Sequence, residues 1–143
     1  MKKTTRYLTL LLVLALMLPT AAMATEYKPM SSAYLSSYNA YIQPGGNGKV
    51  SVCYSVNSAT TMTDVGATTI LLQESADGKV WTAVASYSSS VYPHMLAHNT
   101  PMCNTDVSYS GVSGRYYKAS VTVYAGNSTG SDSRVIWTTI EKA

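Results

Sequence analysis

Phenylalanine is absent from this chain of 143 residues, and charged residues make up only 12% of it. The formal charge of +3 comes entirely from Lys2, Lys3 and Arg6, so the rest of the chain has equal numbers of basic and acidic residues. Nucleic acids and anionic membranes both select clusters of Lys and Arg. We therefore expect neither partner. The length suits a single domain with one ordinary core.

The N-terminal segment has the three parts of a secretory signal peptide. Basic residues come first, an apolar run follows at residues 8–18, and Ala22 and Ala24 supply the small side chains of a cleavage site. The run is about half the ~20 residues that a membrane-spanning helix needs, which argues against an anchor. We predict a cleaved signal peptide at 1–24, a polar lead-in at 25–32, one domain at 33–143, and a secreted protein that leaves the membrane.

Only two cysteines are present, Cys53 and Cys103. In an exported protein a disulfide can persist, and only one pairing is available. The alternation of residues 50–56 places Cys53 opposite Val52 and Tyr54, on the wetter face of its strand. A bond would close a loop of about 50 residues and contribute roughly 3–4 kcal/mol. We predict the Cys53–Cys103 disulfide, with two free thiols as the alternative.

Beyond the apolar run, apolar and polar residues alternate with no sustained helical period. Glycine-rich turns at 44–48 and 76–79 separate the strands, the second as an Asp-Gly hairpin. The segment 58–66 is predicted as a loop, and 88–104 as irregular with one helical turn near 95–98. The pattern indicates an all-β antiparallel sandwich of about seven strands: 34–42, 49–57, 67–75, 80–87, 105–111, 116–125 and 134–140.

Residues 117–127 (YKASVTVYAGN), with Gly130 and Ser131 after them, resemble the penultimate strand of fibronectin type III modules. The resemblance implies an immunoglobulin/fibronectin III-like sandwich in which Tyr116 or Tyr117 is a corner tyrosine that ties down the preceding connection. The chain lacks the early-strand Trp of that family. End to end it is similar to small single-domain exported proteins of Gram-positive bacteria, which implies no activity. The inward residues would be Tyr117, Ala119, Val121, Val123 and Ala125.

The segment from Ser75 to Trp81 resembles the Asp-box of sialidases, with one residue missing between Asp77 and Gly78. We interpret it as a structural turn, in which Asp77 binds nearby backbone N–H groups and Gly78 takes a positive φ. Trp81 would then pack over the hairpin. Contact of this turn with a ligand stays open.

His94 and His98 would form an i, i+4 pair if their turn were helical, with Met95, Met102 and Cys103 nearby as further soft ligands for Cu or Zn. A zinc-protease helix needs Glu after the first histidine, and Met95 stands there. Histidines in polar loops are usually solvated, so we assign no metal and no cofactor. A nucleophile elbow, a carboxylate pair and a phosphate-binding glycine loop are missing as well. We predict a non-catalytic protein, with a small hydrolase as a remaining class.

Aromatic side chains are the main candidates for recognition, since the chain holds 12 Tyr and two Trp. Trp81 and Tyr87 on the Asp-Gly hairpin and Tyr92 in the long loop could stack on sugar rings. The alternative is that Tyr replaces Phe in the core. We expect an extracellular binding or adhesion module for glycan or a cell-surface protein. A structural protein that self-assembles through an unpaired sheet edge is the second hypothesis.

Overall fold

The computed structural model describes residues 32–143, and within them the predicted all-β class is confirmed. The predicted signal peptide, its cleavage site and the lead-in up to residue 31 lie outside the described residues. Across the described part, no helix has the length and apolarity needed to cross a bilayer. The elements are β1 (Leu35–Gly46), β2 (Lys49–Ser75), β3 (Thr82–Ser88), a 3₁₀ turn (Pro93–Met95), β4 (Leu96–Ser110), β5 (Tyr116–Asn127), β6 (Gly130–Trp137) and β7 (Glu141–Lys142).

The 27-residue strand β2 organises the sheet. Along one edge it pairs antiparallel with β1 up to Ser58 and with β5 from Asp64 onward. Along the other edge it pairs with β4 up to Gly66 and with β3 from Thr69 onward. β6 and β7 extend the sheet beyond β5. All seven strands thus form one curled, half-barrel-like antiparallel sheet.

We distinguish two halves of this sheet. The N-terminal half-sheet contains β1, the first part of β2 and β4, and the C-terminal half-sheet contains β3, the second part of β2, β5, β6 and β7. Because β2 belongs to both, it carries the chain continuously from one half to the other.

The prediction of a loop at residues 58–66 was wrong, because this segment is the middle of β2. Its Ser and Thr residues read as a loop, yet Met62 and Val65 are buried and pair with Thr100 and Ala97 of β4. The register between β2 and β4 shifts between Asn57 and Met62, which marks an irregularity in this part of the ladder. At Gly66, with φ of 149°, a Cβ atom would strike the carbonyl oxygen of Met95. Close approach of two backbones therefore requires glycine there.

The prediction for residues 88–104 was also wrong in its extent. β4 begins at Leu96, and the single helical turn is the 3₁₀ turn before it rather than residues 95–98. Pro101 lies where the register between β2 and β4 shifts, which suits a residue that cannot donate to a ladder. At the C-terminus, β6 ends at Trp137 and the short β7 follows after three residues.

The core is built from the inward faces that alternation predicted. In β5 the five expected residues are fully buried, and in β2 the apolar face of residues 50–56 is buried with them. Fully burying a Val or Ile side chain contributes about 1.5–3 kcal/mol each, so these two strands dominate the stability. The largest members are Tyr117, Ile70, Leu72, Met95, Val50, Val52, Val56, Val65, Val121 and Val123.

Tyr117 ties down the connection that precedes its strand, as the resemblance implied for Tyr116 or Tyr117. Its buried hydroxyl accepts a hydrogen bond from the N–H of Val112 at 2.8 Å and donates to Oε2 of Glu74 at 2.5 Å. Burial and the Glu74 bond raise the pKa of this phenol. Glu74 in turn pairs with Arg115 at 2.9 Å. A Cβ at Gly111 would collide with the Tyr117 hydroxyl, so the connection needs glycine.

We predict that Tyr117→Phe lowers the free energy of unfolding by about 1–3 kcal/mol, because a backbone donor and a carboxylate lose a buried partner. Urea unfolding followed by circular dichroism measures the change. Tyr116→Phe, on the outward face one residue earlier, is the matched control and should change stability by less than about 0.5 kcal/mol. Equal effects of the two substitutions would contradict the assigned role.

The predicted disulfide is wrong, because both cysteines are free. Cys103 pairs with Val56 and is buried on the inward face, whereas Cys53 pairs with Asp106 on the outward face. Directly opposite residues share a face of a sheet, so the two sulfurs point to opposite sides of it. The Cys53 thiol donates to Oε1 of Gln43 at 3.6 Å, and the Cys103 thiol to the carbonyl of Met95 at 3.9 Å.

We predict that a maleimide modifies only Cys53 in the native protein and both cysteines in urea, without any reductant. Burial raises the pKa of both thiols, so the Cys53 thiolate is scarce at pH 7 and its labelling should accelerate as pH rises. Intact-mass spectrometry counts the adducts. Failure of either cysteine to react in urea, with a mass two hydrogens low, would restore the disulfide.

Candidate functional site

Both tryptophans of the chain lie on one outward surface, on either side of a lysine. The Nζ atom of Lys118 is 4.3 Å from the ring centroid of Trp81 and 5.1 Å from that of Trp137. Cations over indole faces contribute about 0.5–1 kcal/mol at exposed sites. The ammonium therefore contacts the faces of both indoles. We call these three residues the Trp–Lys–Trp cluster.

The cluster is assembled by strand alternation and register. In β5, Ala119 and Val121 are inward, so Lys118 and Ser120 point outward. Ser120 pairs with Trp137 of β6, which puts that indole on the same face. Trp81 lies immediately before β3, on the turn that leads into this strand.

The outward face around the cluster is partly apolar. Leu71 and Trp137 flank Ser120 in one row across three strands, and Val135 lies in the next row opposite Thr122. Trp137 is 55% exposed, Val135 63% and Leu71 37%. Serine and threonine hydroxyls separate these side chains. Such a surface offers rings and methyl groups for stacking, with hydroxyl groups between them for hydrogen bonds.

Asp77 builds the turn that presents Trp81. Its Oδ1 atom accepts hydrogen bonds from the N–H groups of Lys79 at 2.8 Å and Val80 at 3.0 Å, and from the Ser75 hydroxyl at 3.0 Å. These bonds lower the pKa of the Asp77 carboxyl. Gly78 has a φ of 74°. The interpretation as a structural turn is confirmed, although Trp81 contacts Lys118 of β5 rather than only its own hairpin.

A cavity of about 320 Å³ opens beside this turn, and Glu74, Asp77 and Arg115 lie among its lining residues. Both oxygens of Glu74 bind protein donors, Arg115 and Tyr117, and Oδ1 of Asp77 binds the turn. Both carboxylates that line the cavity are thus engaged in contacts within the fold. We assign it a structural role.

Tyr87 and Tyr92, the other two aromatic candidates, lie apart from the cluster. Tyr87 pairs with Ile70 and so faces inward, where its hydroxyl donates to the carbonyl of Ser108 at 3.1 Å. Tyr92 packs edge-on against it with ring centroids 5.3 Å apart. Their contacts hold the connection between β3 and β4. Of the three candidates, Tyr87 and Tyr92 contact each other, whereas Trp81 contacts Lys118.

His94 and His98 are not the i, i+4 pair considered from sequence. His94 lies in the 3₁₀ turn with its ring 6.2 Å from that of Tyr92, whereas His98 is in β4. Nδ1 of His98 lies 2.6 Å from Oδ1 of Asp64, its partner across the sheet. Within residues 32–143, no group of three or more His, Cys, Asp or Glu is placed to hold a metal.

Sequence reasoning missed Trp137 and Lys118. Lys118 could have been found, since the alternation that buries Ala119 exposes it. Trp137 could not, because its position opposite Ser120 depends on the register between β5 and β6. Comparison with protein-family models, curated proteins and solved structures finds no match for this chain.

We predict that the stability difference between wild type and Asp77→Asn shrinks as pH falls below about 4. The folded-state pKa of Asp77 is lowered, so its contribution is fully present above the unfolded pKa and is lost as pH falls through the folded value. Thermal unfolding of both proteins between pH 5 and pH 2 tests this. A difference that does not vary with pH would show that the Asp77 charge contributes nothing to the turn.

Proposed function

We propose that this protein is an exported, non-catalytic binding module that recognises carbohydrate through the Trp–Lys–Trp cluster. The observation that carries the proposal is the placement of both tryptophans on one exposed face with Lys118 between them. Tryptophan is costly to expose and is enriched at binding hot spots. Sugar rings present apolar C–H faces that stack on indoles, and their hydroxyls pair with the intervening Ser and Thr groups.

Three features support recognition of a flat, extended ligand rather than a small buried one. The surface is a sheet face rather than a deep pocket, and its exposed rows run across β2, β5 and β6. Lys118 contacts both indoles, which reduces the side-chain freedom that is lost when a ligand binds. Lys118 and Trp137 belong to regular strands, which position side chains more rigidly than loops do.

The finer assignments of fold and location are part of the same proposal. Tyr117 and the alternation of β5 favour an immunoglobulin/fibronectin III-like domain, and the N-terminal basic and apolar segments favour export and secretion, as in small exported proteins of Gram-positive bacteria. A glycan-binding module released from the cell would meet polysaccharide at cell surfaces. N-terminal sequencing of secreted protein, expected to begin at Thr25, tests the export step.

Self-assembly is the second candidate, since among the described strands β6 pairs only with β5 and leaves one edge open. That edge carries the ion pair of Asp132 and Arg134, at 2.9 Å. Charged residues on an edge strand discourage edge-to-edge pairing. Light scattering across concentration distinguishes the two functions, because growth of assemblies without ligand is expected only for a self-assembling protein.

We predict that Trp137→Ala weakens polysaccharide binding by about thirtyfold or more, equivalent to about 2 kcal/mol, because it removes one stacking surface. Trp137 is 55% exposed, so the substitution should leave the fold intact. Affinity electrophoresis against a panel of neutral and acidic polysaccharides, followed by calorimetry on those that retard wild type, measures the effect.

Tyr41→Ala is the matched control, since Tyr41 is a 44% exposed aromatic residue on the N-terminal half-sheet. It should bind as wild type does. Urea unfolding of both variants confirms that they fold. If wild type binds no polysaccharide, or if Tyr41→Ala loses as much affinity as Trp137→Ala, the proposed function fails.

A further inference from the structure

The outward face of the C-terminal half-sheet carries two lysines, Lys118 and Lys142. Its outward positions, read from the strand registers, are Asp64, Gly66, Thr69, Leu71, Gln73 and Ser75 of β2, Ala83, Ser86 and Ser88 of β3, Tyr116, Lys118, Ser120, Thr122, Tyr124 and Gly126 of β5, Ser131, Ser133, Val135 and Trp137 of β6, and Lys142 of β7. Two of these residues are lysines. The acidic one, Asp64, lies opposite Gly126, eight residues along β5 from Lys118, and is 2.6 Å from Nδ1 of His98. The Asp77 carboxylate, on the turn before Trp81, accepts hydrogen bonds from protein donors.

Both lysines are held by aromatic rings rather than by acids. Lys118 lies between the two indoles, and Nζ of Lys142 lies 5.3 Å from the ring centroid of Tyr116. The ion pairs within residues 32–143 join histidine or arginine to acids, and no lysine takes part. A lysine that lies over an aromatic face, rather than against a carboxylate, keeps the N–H donors of its ammonium group free to bind an anion.

The two lysines lie on neighbouring strands of the same face. Lys142 pairs across the sheet with the position of Tyr116, which is two residues before Lys118 on β5. The two lysines thus lie one strand apart and about 7 Å apart along the strand direction. An anionic substituent on a sugar that stacks on Trp81 or Trp137 would therefore lie close to the ammonium group of a lysine.

We propose that the ligand is an anionic polysaccharide, whose pyranose rings stack on Trp81 and Trp137 while its carboxylate or sulfate groups pair with Lys118 and Lys142. This inference rests on the proposed function and specifies its ligand. Stacking requires a ring and the ammonium groups require an anion, so neither a neutral polysaccharide nor a plain polyanion satisfies both parts of the site.

The test compares polygalacturonate with the same polymer after chemical reduction of its carboxyl groups, and dextran sulfate with dextran. Polyglutamate serves as a polyanion without sugar rings. Calorimetry at low salt should show at least about tenfold weaker binding to each uncharged polymer than to its charged counterpart, since a charge-assisted contact is lost. Polyglutamate should bind no better than the uncharged polymers.

Lys118→Gln should weaken binding to the charged polymers by about tenfold more than it weakens binding to the uncharged ones, because only the charged polymers lose a charge-assisted contact. Lys49→Gln removes the same charge from the N-terminal half-sheet and is the control, expected to bind as wild type does. Lys118→Arg, which keeps a cation between the indoles, should restore most of the affinity. Urea unfolding of each variant confirms its fold.

The outcomes separate the two levels of the proposal. Equal binding of charged and uncharged polymers, with loss only in Trp137→Ala, would overturn the anionic ligand and keep carbohydrate recognition. Binding of polyglutamate as strong as that of polygalacturonate would overturn the need for stacking. Binding to a cell-surface protein with no polysaccharide retained would overturn both.

Discussion

β2 has to satisfy backbone hydrogen bonds along both of its edges over 27 residues, and the rest of the domain follows from that requirement. Four other strands fulfil it, β1 and β5 on one edge and β4 and β3 on the other. Because β2 passes from one half-sheet to the other, its inward residues contribute to the core on both sides. Gly66 permits the close approach that this passage demands.

The same strand determines which residues reach the surface. Leu72 points into the core, so Leu71 and Gln73 are turned outward, and the register with β5 sets Ser120 and Lys118 beside them. The same alternation continues in β6, where Trp137 lies opposite Ser120 and completes the cluster. The candidate site is therefore a consequence of sheet register, and a slip by one residue would bury Lys118 and destroy it.

Local pattern predicted much of this fold but little of its long-range pairing. Alternation is a property of neighbouring residues, and it correctly gave the inward face of β5 and the outward position of Cys53. The Ser/Thr-rich middle of β2 reads as a loop because only its pairing with β4 makes it a strand. The predicted disulfide was wrong for the same reason, because an even number of cysteines does not show which face of the sheet Cys103 occupies. Trp81 was found from its turn, whereas its partner Trp137 depended on the β5–β6 register.

The most direct test of the site uses the two indole N–H groups, which give two side-chain resonances in a ¹⁵N-labelled sample because the chain has two tryptophans. Titration with a polygalacturonate oligosaccharide should shift both indole resonances and the backbone amides of Lys118 and Ser120. The amides of β1, on the N-terminal half-sheet, should stay in place. Shifts confined to residues outside the C-terminal half-sheet, with both indoles unmoved, would show that the ligand binds elsewhere.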